Sequence, residues 1–174
     1  MTTINETEAA AHHLEELFND LYSVLGARAG GVHDDAVTIA LHVMAREFGE
    51  VAATFRDLGP HRAGVEASPL SSGVIAKVLN DALDTDDSGV IALYAICVEI
   101  LPRLLISLRD VAEILDHQQG GRVIDRARRA SAVVMAQLHA SSDLLRTRGS
   151  EEILGAPAAR YADWLRDAGA DERF

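Results

Sequence analysis

Apolar residues recur at intervals of three and four along most of the chain, a spacing that predicts helices separated by short polar or glycine-rich breaks. In residues 5 to 29, Ala10, Leu14, Leu17, Leu21 and Val24 form a stripe that Phe18 and Leu25 widen, and Gly30-Gly31 ends it. A second helix over 34 to 58 opens on Asp34 and Asp35, which suit the positive end of a helix dipole. It aligns Val37, Met44, Phe48, Val51, Phe55 and Leu58 and stops at Gly59-Pro60. Residues 60 to 72 read as a loop, and 72 to 83 as a short third helix carrying the pairs Val74-Ile75, Val78-Leu79 and Ala82-Leu83.

Residues 90 to 117 are the most apolar. The spacing puts Glu99, Arg103, Asp110, Glu113 and His117 on one narrow stripe, so only that stripe should meet water. Pro102 should kink or split this helix. Gly120-Gly121 leads into a fifth helix over 123 to 146, with Ile124, Ala127, Ser131, Met135, Leu138 and Leu145 facing inward. Ser150, Glu151 and Glu152 open a terminal helix with an apolar edge of Leu154, Tyr161, Trp164 and Leu165, and the tail beyond Gly169 reads as loose. The expected fold is all-α: a bundle of four long helices, an extra short helix and a C-terminal helical arm. Residues 1 to 149 form the bundle domain, and 150 to 174 dock on it as an amphipathic helix and tail.

Composition narrows the partners more than the fold. The 174 residues are 48% hydrophobic but only 5% aromatic, an aliphatic core of the kind close helix packing uses. The formal net charge is -11, which repels phosphate backbones and anionic membrane surfaces and favours cationic ligands or basic protein surfaces. Neither a nucleic acid nor a membrane is therefore expected as a partner. The apolar run Val90 to Leu101, interrupted by Glu99 and followed by Pro102 and Arg103, reads as too short to span a bilayer, which needs ~20 residues. The polar N-terminus lacks the basic start of a signal peptide. Cys97 is the single cysteine and lies in an apolar run, as a buried thiol in a reducing cytoplasm would.

Four groups of residues could carry chemistry. Asp84-Thr85-Asp86-Asp87-Ser88-Gly89-Val90-Ile91 resembles the front of an EF-hand calcium loop, with Asp84, Asp86 and Ser88 at the first, third and fifth positions and glycine at the sixth. The twelfth position, which should supply a bidentate Glu, is Ala95, so an acidic turn between helices is the plainer account. A second group, His13, Glu47, Glu50 and His139, flanks the apolar faces and could hold a metal, although the Glu-x-x-His of di-metal bundles is absent. Glu47-Phe48-Gly49-Glu50 also resembles the Glu-x-x-Glu of all-α nucleotide pyrophosphohydrolases. That resemblance implies magnesium held with further acids, for which Asp81, Asp84, Glu113 and Asp116 are the candidates.

The last two groups are surfaces. Arg122, Arg126, Arg128 and Arg129 gather at the start of the fifth helix, where cations oppose the dipole and need partners. Acids of the same bundle, or an acidic docking surface such as a second copy of the chain, could supply them. Tyr161, Trp164 and Leu165 on the arm complete the interaction patch. No Gly-x-Ser-x-Gly, phosphate loop or zinc spacing occurs, so no cofactor is implied.

These features favour a non-catalytic binding or scaffolding protein that works through protein contacts. It is expected to be a homodimer, because the fourth helix is apolar around more of its circumference than one bundle covers. The alternatives are a metal-binding bundle or metal-dependent hydrolase, and a small apolar ligand held between helices near Met44 or Met135.

Overall fold

The computed structural model describes residues 4–58, 73–115, 117–149 and 151–167, and all regular structure among them is helical. The elements are α1 (Ile4–Arg28), a 3-10 turn (Ala29–Gly31), α2 (Asp35–Arg56), α3 (Val74–Thr85), α4 (Val90–Tyr94), a π-helical turn (Ala95–Ile100), α5 (Leu101–Ile114), α6 (His117–Arg148) and α7 (Glu151–Asp167). The 60–72 loop and the tail beyond Gly169 lie outside the described residues.

The α1 and α2 stripes face each other as the spacing predicts. Leu14, Leu17, Phe18, Leu21 and Leu25 are fully buried against Val37, Leu41, Met44 and Phe48. Phe18 sits 5.8 Å from Phe48 and 6.2 Å from Phe55, centroid to centroid, within the range of aromatic pairing. Asp34 caps α2 by accepting from the amides of Ala36 (2.9 Å) and Val37 (3.2 Å). Arg148 at the far end of α6 donates to the same carboxylate at 2.8 Å, which runs α6 antiparallel along α2.

The fourth predicted helix is one apolar run of three pieces. Pro102 has no N–H for the Val98 carbonyl, so a plain α-helical turn cannot continue through it. The chain answers with the π turn just before it, where the Leu101 amide reaches back five residues to the Ile96 carbonyl. The span Val90–Ile114 is 25 residues, longer than the sequence reading allowed, and meets the length and apolarity of a membrane-crossing helix. Of its most apolar window, 67% is buried inside the bundle, so the chain's own core uses that apolarity.

The polar stripe is corrected here. Glu99 is buried, at 9% exposure, and pairs at 2.8 Å with Arg103 one turn on. Glu113 of the stripe does meet water, and the other exposed residues of this rod include Val98, Arg109 and Ile114. The His117 side chain lies outside the described residues.

The α4 half of the rod is covered by α3, α6 and α7 of the same chain. Much of the apolar surface that called for a second subunit is therefore met internally over residues 90 to 101, Val98 excepted. α5 keeps half-covered apolar positions at Leu105, Ile106, Val111 and Ala112.

α6 starts at His117 rather than 123, so Gly120-Gly121 lies inside its first turns. A Cβ at Gly120 would stand 2.8 Å from the Leu115 Cβ, so glycine serves the tight α5–α6 corner there. The inward face of α6 runs through Val123, Ile124, Ala127, Ala130, Val134, Gln137 and Ser141, while Met135 is 42% exposed. Of the residues expected to face inward, Ile124 and Ala127 are buried, Leu138 and Leu145 are half-buried against the core, and Met135 faces out.

Candidate functional site

The acidic turn before α4 is built as a helix cap. Burial raises the Asp86 carboxyl, but hydrogen bonds from the Ser88 hydroxyl and the Ser88, Ile91 and Val90 amides outweigh it and hold the group below the usual range. Both oxygens are engaged: Oδ1 by the Ser88 amide at 2.9 Å, Oδ2 by the Ile91 amide at 3.2 Å, and both by the Ser88 hydroxyl. Asp84 is held by the guanidinium of Arg28, which also donates to Asn80 at 3.0 Å. An arginine thus stands beside the carboxylate that a calcium ion would need. Calorimetric titration should show no micromolar calcium binding, and micromolar affinity abolished by Asp84→Ala would overturn that.

The metal candidates do not converge. Among the described residues, no group of three or more His, Cys, Asp or Glu side chains is placed to hold an ion. Glu47 instead accepts from the buried Gln137 amide of α6 at 2.6 Å and lies 3.8 Å from Arg46. Glu50 and His139 are exposed, and His13 is half-buried on α1. Of the acids that the pyrophosphohydrolase likeness would recruit, Asp81 accepts from Arg160 (2.5 Å) and the Tyr161 hydroxyl (2.9 Å), and Asp84 is held by Arg28. Asp116 lies outside the described residues.

The sequence reading missed the polar groups of the π turn. Tyr94 hydrogen-bonds to Glu99, and burial pushes its phenol up, with the Glu99 charge adding to the shift. Burial pushes the Cys97 thiol up to about 11, against a hydrogen bond with Ser141 that lowers it. A buried Glu paired with Arg at helical spacing looks solvated in a hydropathy pattern. The one local signal was Pro102, which marks where the ladder must break.

The arm divides from the arginine cluster. Tyr161 and Leu165 are fully buried against the chain's own bundle, so they are core residues rather than part of an open patch. Trp164 is half-buried beneath the Lys77 ammonium, 4.0 Å from its ring centroid, a cation–π contact that fastens α7 to α3.

The arginines remain outside. Arg129 pairs with Asp125 at 2.7 Å, with both side chains mostly exposed. Arg122, Arg126 and Arg128 make no hydrogen bond or ion pair with any described residue. Two grooves flank this helix. One, of about 500 Å³ between α2 and α6, is lined by Arg46, Glu47, Glu50, Arg126 and Arg129 among others. The second, of about 540 Å³ between α5 and α6, has Leu105, Ile106, Leu108, Ala112 and Met135 along its floor and Arg109, Glu113 and Arg128 at its rim. Met44, the other methionine considered for a small-ligand pocket, is fully buried in the core.

The outer face of α6, flanked by two grooves and carrying arginines without in-chain partners among the described residues, is the candidate site. The chain matches no family model, no curated protein and no solved structure.

Proposed function

We propose that the protein is a non-catalytic helical binding module that docks an acidic protein surface on the outer face of α6. The observation that carries this reading is the state of Arg122, Arg126 and Arg128. On a chain of net charge -11, three neighbouring arginines find no acid among the described residues. Acids are abundant, so cations left without one are available to a partner, and arginine suits carboxylate recognition through its planar fork of donors. Electrostatic complementarity of this kind steers association and selects partners more than it adds affinity.

Native mass spectrometry of the protein purified from its own host tests the proposal. Salt-sensitive protein complexes are expected, and they should be lost in the Arg122→Glu/Arg126→Glu/Arg128→Glu variant. A stoichiometric metal ion or retained small molecule in place of a protein partner would overturn it.

A further inference from the structure

The exposed face of α6 has a charge order that complements itself when reversed. Exposed positions recur at seven, at Asp125, Ala132, His139 and Arg146, with Arg128, Met135 and Ser142 three residues after the first three. That is the period of a seam between two helices. Its centre carries the small or apolar Ala132, Met135, Ala136 and Ala140 with His139 among them, and its ends are charged. Along the chain the order is acid then base at Asp125 and Arg128, and again acid then base at Asp143 and Arg146.

From this order we infer that α6 docks on α6 of a second copy, lying antiparallel across a two-fold axis near Met135 and Ala136, and that Asp143 of that copy supplies the acid for Arg128. The inference rests on the reading of this face as a docking surface and names its occupant. In that register Arg128 stands opposite Asp143 of the second copy, and Asp125 opposite Arg146. The two-fold axis repeats both pairs, so each of these four side chains meets an opposite charge. A parallel register would set Arg128 against Arg128 and Asp143 against Asp143, which repel.

The present partners of these groups leave them available. Arg129 with Asp125, and Arg146 with Asp143 at 3.4 Å, are neighbours on one helix, and all four side chains are more than half exposed. Such surface pairs contribute little and exchange readily. Arg128 has no partner among the described residues. The grooves on both sides of α6, about 500 and 540 Å³, give side chains flanking a docked helix somewhere to sit. The seam from Asp125 to Arg146 is roughly 33 Å long at 1.5 Å per residue. An interface of that length is small, so the dimer is expected to be weak, micromolar and salt-sensitive.

Sedimentation or light scattering from about 1 to 100 µM at low and high salt tests it. The wild-type chain should move from 18.7 kDa toward twice that mass as concentration rises. Arg128→Asp and Asp143→Arg, both at exposed sites, should each weaken association at least about tenfold. An equimolar mixture of the two variants should associate again, because both cross-pairs then regain opposite charges. Ala136→Cys should cross-link symmetrically under oxidation, with Cys97 too buried to compete. A wild-type mass that stays at 18.7 kDa would overturn the self-docking and leave docking of another acidic protein standing. A dimer untouched by both charge reversals would overturn the antiparallel seam.

Discussion

Removing α7 by truncation after Gly149 is expected to lower stability by about 5 kcal/mol or more, comparable with the whole stability of many domains. Tyr161 and Leu165 are fully buried, and losing a buried aromatic or leucine side chain costs roughly 2–5 kcal/mol each. The loss extends beyond the arm. α7 packs on α3, α4 and the π turn, so the core residues beneath it would be left facing water. The polar clasp goes too, because Arg160 and the Tyr161 hydroxyl both bond to Asp81. The melting midpoint should fall by roughly 10–20 °C. Leu165→Ala, which keeps the arm, should fall by less and show the same sign if the truncated chain does not fold. An unchanged midpoint on truncation would show that the arm contributes nothing to the fold.

The second large effect is expected at Gly89. Its φ is 73°, the left-handed region, where a Cβ costs roughly 1–2 kcal/mol. That Cβ would also stand 2.7 Å from Val32 Cγ1 and 3.1 Å from Val37 Cγ1, and such overpacking adds roughly 1–3 kcal/mol. Gly89→Ala should therefore destabilise the protein by about 3 kcal/mol in urea unfolding. Gly73, at φ 93° with nothing within 4 Å of its Cβ position, supplies the control: Gly73→Ala should show the backbone cost alone. Equal effects at the two sites would mean that the Val32 contact yields freely.

The helices on the N-terminal side were legible because the residues they bury are those that hydropathy marks. Leu14, Leu17, Phe18, Leu21 and Leu25 are apolar at helical spacing, and all are fully buried. The α6 face was read wrongly at Met135 because the residues it buries there include Gln137 and Ser141. These are paid for by bonds to Glu47 and Cys97 on other elements, and pattern along one helix cannot show a partner on another. Glu99 and Arg103 deceived in the same way, since their pairing removes much of the cost of burial that spacing alone would assign them. The arginine cluster was visible as composition. Its significance depended on where the acids are, which only the folded arrangement supplies.

The buried thiol in the π turn also has a practical consequence. Reaction with alkylating reagents requires the thiolate, and Cys97 is both shielded and held protonated well above neutral pH. As the only sulfhydryl in the chain, it can be labelled only when the bundle opens at the turn that α6 and α7 cover. Its labelling rate is thus a built-in clock for local opening, sensitive to how firmly the arm is seated and requiring no engineered probe.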